Sequence, residues 1–224
     1  MSLADWTKVQ PGSSVTISLD INTPLVGNGS LKFVNGQTPN GVANMYLTSL
    51  GRGFTKGRVR TLIRMDARPS HVAYERSGIV FLQSVLNPSV ASGNCYTFGW
   101  GVGASTSGTP GGQYWTLNKH ALSLGTAGSN LFNEAVSVSA GDYYPIQVEW
   151  VVDIAGLGGT RISISVGDLN SIDFSTLLPL VDYLDTSSPL TSSVAEGLFT
   201  AHPSSGISGV HTYTFDETTI YQLV

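Results

Sequence analysis

The residues with the strongest chemical potential are two carboxylates on one predicted strand, Glu149 and Asp153 in Glu149-Trp150-Val151-Val152-Asp153. Positions i and i+4 of a strand share a face but stand about 13 Å apart. Double-displacement glycoside hydrolysis needs two carboxyls only about 5 Å apart, so this spacing argues for ordinary solvated acids. Nucleophile chemistry fares no better, because the chain contains neither a Gly-x-Ser-x-Gly elbow nor a phosphate-binding Gly-rich loop with Lys. Gly99-Trp100-Gly101-Val102-Gly103 continues a strand rather than opening a helix, and close backbone packing or a bulge is its expected role. The four histidines, His71, His120, His202 and His211, are scattered without metal-ligand spacing. Asp168-Leu169-Asn170 with Asp173 begins like a calcium loop but lacks its glycine and distal Glu, and Asp216-Glu217 is an equally short oxygen set. Asn28-Gly29-Ser30 matches a glycosylation acceptor, which matters only on a secretory route. No catalytic residue, metal or cofactor is expected.

Two surfaces remain as binding candidates. Arg58, Arg60 and Arg64 fall on one side of a strand whose other side is Val59, Thr61, Ile63 and Met65. Arg52, Lys56, Arg68 and Arg76 lie nearby, so positive charge is gathered between residues 52 and 76 of a chain with net charge −4. Such segregation points to a complementary protein surface or another copy of the chain. The second candidate is aromatic: Tyr96, Phe98 and Trp100 share a strand face expected in the core, and Tyr114-Trp115 follow on the next strand. Alternation sends either Tyr114 or Trp115 away from that core, leaving one of these rings for contact with a ligand, with Trp115 the one to watch.

The elements that must position these residues are strands. Period-two alternation recurs throughout; Ile146 to Ile154 and Arg161 to Val166 are the clearest runs, joined through Ala155-Gly156-Leu157-Gly158-Gly159 as a hairpin. Glu149 and Arg161 are expected to face each other across it. Further strands are expected at 15–19, 30–34, 44–48, 58–66, 77–84, 96–102, 113–120, 196–200, 210–215 and 219–223. Turn clusters such as Gly27-Asn28-Gly29, Asn35-Gly36 and Asn40-Gly41 separate them. The one helical pattern runs from Phe174 to Leu184, capped by Asp173 or Ser175 and shortened by Pro179. The expected fold is all-β, a two-sheet antiparallel jelly-roll sandwich with at most one short helix, formed by residues 1–224 as a single domain. The Gly/Ser/Thr stretch from Gly103 to Gly112 is expected as a loop within it.

Composition narrows the class. Only 12% of residues are charged and 41% are hydrophobic, so neither a nucleic-acid binder nor a disordered chain is indicated. The single cysteine, Cys95, lies in an apolar run and is expected to be a buried, unreactive thiol. No apolar run reaches membrane-spanning length, and no secretory leader is recognised, so synthesis in a host cytoplasm is expected.

The sequence resembles the concanavalin A-like lectin/glucanase sandwiches, including laminin-G-like domains. Gly27-Asn28-Gly29-Ser30-Leu31-Lys32-Phe33 is similar to their opening G-x-G-S-L-x-F strand, and the paired strands around Glu149 and Arg161 resemble their central hairpin. Tyr213-Thr214-Phe215-Asp216-Glu217-Thr218-Thr219-Ile220 resembles their closing strand, and the likeness extends from about Trp6 to Val224. Glucanases of this group carry a Glu-x-Asp-x-(x)-Glu strand; here Val151 stands where the middle acid would be. The resemblance implies a sugar binder, a polysaccharide-cleaving enzyme, or a building block of phage particles. The expectation is the last: a non-enzymatic bacteriophage virion protein, decorating capsid or tail through contacts with other virion proteins or copies of itself. A carbohydrate-binding lectin-like module is the alternative; sugar sites on the sandwiches this sequence resembles use aromatic platforms, which makes Tyr114 and Trp115 its glycan candidates.

Overall fold

The computed structural model describes residues 6–9, 15–35, 41–47, 54–67, 75–84, 94–102, 113–120, 128–152, 156, 158–191, 194–202 and 211–224. Among the described residues, fourteen strands form two antiparallel sheets of seven. In chain order they are β1 (Trp6–Val9), β2 (Val15–Asp20), β3 (Ser30–Asn35), β4 (Gly41–Leu47), β5 (Lys56–Ala67), β6 (Glu75–Gln83), β7 (Cys95–Val102), β8 (Gln113–His120), β9 (Ser129–Ala135), β10 (Tyr143–Val152), β11 (Thr160–Val166), β12 (Leu178–Asp185), β13 (Ala195–His202) and β14 (His211–Gln222). Sheet I has the order β1-β4-β13-β6-β7-β8-β9, and sheet II the order β12-β11-β10-β5-β14-β3-β2. The chain crosses repeatedly between sheets, giving the jelly-roll sandwich that alternation and scarce helix imply.

One core fills the space between the sheets. Sheet I contributes Ile79, Phe81, Tyr96, Phe98, Trp100, Trp115, Leu117 and Leu198; sheet II contributes Leu31, Phe33, Val59, Ile63, Ile146, Val148, Trp150, Ile162, Tyr213 and Phe215. Trp150 anchors it. Its indole Nε1 donates to the Phe54 carbonyl at 2.8 Å, and its ring lies over Gly57, where a Cβ would come within 2.1 Å of the ring. The expected core face Tyr96/Phe98/Trp100 is fully buried.

Three local expectations are corrected. The helical pattern over 174–184 becomes a three-residue 3₁₀ turn, Phe174–Thr176, followed by β12. Asp173 caps the turn by accepting the Ser175 N–H at 2.7 Å, but Pro179 has no N–H to continue a helix. Val181 and Asp185 are instead buried as alternate residues of an edge strand on β11. Second, Glu149 and Arg161 do not face each other: register places Val151 opposite Arg161 and Glu149 opposite Ser163. Arg161 pairs with Asp182 on β12, and Glu149 with Arg58 on β5 at 2.7 Å. Third, the runs 210–215 and 219–223 belong to one strand, β14, interrupted by a bulge between Asp216 and Thr219, with Glu217 in the left-handed region at φ 48°. Strands β1, β9 and β12 have no counterpart among the expected elements.

Candidate functional site

Alternation on sheet I sends one residue set into the core and the other to the outer face. On β6 the outward residues are Arg76, Gly78 and Val80; on β7 they are Cys95, Thr97, Gly99 and Gly101; on β8, Tyr114, Thr116, Asn118 and His120. Val80, Cys95, Ala195, Phe199 and Ala201 form a second, smaller apolar cluster on this side. Beside it lies a buried polar group. His120 Nε2 stands 3.3 Å from Arg76 Nη1 and 3.1 Å from Thr97 Oγ1, and Arg76 and His120 are only 8% and 1% exposed. A guanidinium only donates, so Nε2 turns its lone pair to Arg76, which assigns the ring proton to Nδ1.

Register explains how the two meet. Arg76 sits opposite Gly101, whereas His120 sits opposite Cys95, six residues along the same strand. The side chains must therefore lie along the sheet to touch. Between them, Gly78 faces Gly99, and a Cβ at either would come within 2.2 Å or 2.0 Å of a backbone carbonyl oxygen on the neighbouring strand. These glycines leave a strip of sheet free of side chains, which accounts for the Gly99-Trp100-Gly101 run. Cys95 is a buried free thiol beside this group. Burial pushes its pKa up to about 12, against the opposing charge of Arg76, so it is inert as a nucleophile.

The open part of the same face lies toward β8 and β9. Tyr114 and Thr116 are half-buried, and Asn133, opposite Thr116, is exposed. Of the two aromatic candidates, Tyr114 is the outward one. Trp115 is 4% exposed, stacks on Phe98 at 5.7 Å and meets Tyr144 edge-on at 5.3 Å, so it is a core residue and not a ligand platform.

Arg58, Arg60 and Arg64 stand together on the outer face of sheet II, alternating with core-facing Val59, Ile63 and Met65. Each is half-buried and held within the chain. Arg58 is paired with Glu149, which also accepts from Gln147 Nε2 at 2.8 Å. Arg64 is paired with Asp66 and donates to the Thr23 carbonyl at 3.1 Å. Arg60 donates from Nε to Thr219 Oγ1 at 3.0 Å. Arg52, His71, Arg68, Asp153 and residues 103–112 lie outside the described residues.

The oxygen-rich segments serve as caps. Asp216 is 4% exposed, and its Oδ2 accepts from Val26 N–H at 2.8 Å and Ser30 Oγ at 2.6 Å. Asn170 accepts from Tyr143 N–H at 3.1 Å, and Asp173 caps the 3₁₀ turn. Among the described residues no three His, Cys, Asp or Glu side chains converge on a point. Asp185, 1% exposed at the seam between the sheets, accepts from Lys119 Nζ at 2.6 Å and from the Tyr96 hydroxyl. Burial, and then this bond, hold the Tyr96 phenol above the usual tyrosine range, so it remains a donor.

The Arg76–His120–Thr97 group was not singled out by sequence reasoning. Alternation marks each as outward, but only register shows that residues 76, 97 and 120 meet.

The structural neighbours of this chain are concanavalin A-like, lectin-type β-sandwiches, among them lectin-type domains, a β-glucanase and polysaccharide lyases. The cellulose-induced protein Cip1 superposes with a TM-score of 0.62 at 16% identity, covering 100% of this chain and 94% of its own. The endo-β-1,4-glucuronan lyase of Trichoderma reesei gives 0.59 at 13% identity over 99% and 92% of the two chains. The exoplasmic/lumenal domain of VIP36, in its Ca²⁺/Man3GlcNAc-bound form, gives 0.54 at 9% identity over 100% and 86%. No protein-family model matches the sequence, and no curated protein matches it.

Proposed function

We propose that this chain is a carbohydrate-binding sandwich that seats a glycan on the outer face of sheet I, across Tyr114, Thr116 and Asn133. The observation that carries this reading is the buried Arg76–His120–Thr97 group beside that open strip. Desolvating a guanidinium and an imidazole on the side of a sheet away from the main core costs stability, and such arrangements cluster at functional sites. Sugar sites combine a few fixed polar groups with an aromatic face, and Tyr114 supplies that face here. The fold supports the reading in a general way, since its neighbours include a domain bound to Man3GlcNAc and a carbohydrate recognition domain.

Binding rather than catalysis is the activity we assign. Glu149, the sequence-marked acid among the described residues, is tied to Arg58 on the outer face of the other sheet. The test is a glycan-array screen followed by calorimetry with the best oligosaccharide. Saturable binding that falls at least tenfold in Tyr114→Ala, with unchanged thermal stability, is expected. Affinity untouched by Tyr114→Ala and Thr116→Ala would remove the site from sheet I.

The second reading, a bacteriophage virion subunit working through protein–protein contacts, draws on the arginine face of sheet II. Arg58 and Arg64 are already neutralised within the chain, which leaves that reading less to rest on. It requires a defined oligomer in light scattering.

A further inference from the structure

On the outer face of sheet II four of the described cations pair with carboxylates of the same chain, and two, the exposed Lys56 at the start of β5 and Arg60, have no such partner among the described residues. Lys32 is paired with Asp20, Arg58 with Glu149, Arg64 with Asp66 and Arg161 with Asp182. Arg60 is different. Gln147 lies opposite it on β10, but the Gln147 amide turns to Glu149, which also takes Arg58. No carboxylate among the described residues pairs with Arg60, and its two Nη groups bond to none of them. Yet Arg60 is not a loosely solvated side chain. Its Nε is tied to Thr219 Oγ1 at 3.0 Å, and its guanidinium carbon lies 4.8 Å from the Phe174 ring centroid and 5.7 Å from that of Tyr221. Three segments converge to hold it: β5, the 3₁₀ turn and β14.

We propose that Arg60 is an oxyanion-binding site, a fixed guanidinium fork that takes a carboxylate or sulfate group on the outer face of sheet II. Tethering Nε and flanking the guanidinium with aromatic rings leaves the Nη1/Nη2 edge for a ligand. That edge presents parallel N–H donors matched to two oxygens of one anion. The rings also restrict the side chain before any ligand arrives, so less rotamer freedom is lost on binding. The half-exposed Tyr221 ring beside the guanidinium suits an anionic group carried on a larger, partly apolar molecule. The site is on the other sheet from the glycan strip, so it goes beyond the carbohydrate reading and stands or falls without it.

The test is arginine Nε–Hε nuclear magnetic resonance on the full chain, titrated separately with sodium acetate and sodium sulfate against sodium chloride at matched ionic strength. The Arg60 signal is assigned by its loss in Arg60→Lys, a variant that keeps the charge and removes the fork. A saturable shift confined to Arg60 is expected with acetate or sulfate and not with chloride. Saturation by acetate alone identifies a planar carboxylate ligand, by sulfate alone a tetrahedral one, and by both the shared oxyanion chemistry. In Tyr221→Ala, which leaves the fork intact, the midpoint should rise several-fold. Tyr114→Ala should leave the titration unchanged. Equal drift of all arginine signals in the three salts, or a saturable response at neighbouring amides that persists in Arg60→Lys, would overturn the proposal.

Discussion

Replacing Lys119 by Met should unlatch the two sheets at the β8–β12 seam. The ammonium donates to Asp185 Oδ2 at 2.6 Å and to the carbonyls of Ser187 and Ser188 at 2.7 and 2.6 Å. Asp185 keeps bonds from the Tyr96 hydroxyl and the Ser187 N–H, but in the variant it is a carboxylate without a counter-charge. Removing one partner of a buried ion pair typically costs about 3–5 kcal/mol. The Lys119 side chain is 16% exposed against 2% for Asp185, so water reaches one partner, and the low end, about 3 kcal/mol, is expected. For a chain of this length that corresponds to a melting temperature lower by roughly 6–12 °C. Urea unfolding followed by tryptophan fluorescence measures it, with Asp185→Asn and the double variant completing a cycle. The double variant should cost less than the sum of the singles by about 1–3 kcal/mol. A Lys119→Met cost below about 1 kcal/mol is the value of a solvated surface pair and would refute the buried latch.

Two further perturbations separate neighbouring roles. Trp115→Ala should cost about 3–5 kcal/mol because it empties a core site packed against Phe98 and Tyr144, while Tyr114→Ala should cost well under about 1 kcal/mol; equal costs in thermal unfolding would contradict the alternation of β8. Asp20 accepts from the Thr23 hydroxyl at 2.8 Å and from the N–H groups of Asn22 and Thr23, and these bonds, led by the hydroxyl, hold its carboxyl well below the usual range. Its folded pKa is depressed, so its contribution is fully present above the unfolded value of about 3.9, declines below it, and is lost only as pH falls through the depressed folded value. Asp20→Asn should therefore lower the urea midpoint at neutral pH, with a difference that narrows steadily as pH falls from about 4 toward 2; a pH-independent difference would rule out the carboxylate as the cause.

The amino-acid sequence by itself determined the strand content and most core faces of this protein. A side-chain period of two is a local property, so Ile146, Val148 and Trp150 declare their buried face without knowledge of any partner strand. The same local reasoning read Phe174 to Leu184 as helical, because spaced leucines satisfy both periods. Only pairing with β11 makes that segment an edge strand. Trp115 shows the limit in miniature: alternation required one of Tyr114 and Trp115 to face outward, and the stack on Phe98 decided which. Pairing of charges is less legible still. Glu149 meets Arg58, 91 positions away, rather than Arg161, because register is a property of two strands together. The meeting of Arg76 with His120 over a glycine strip, and the isolation of Arg60 among paired neighbours, exist only once seven strands lie side by side. Sequence spacing encodes direction along a strand, while proximity across a sheet is decided by which strands the sandwich brings together.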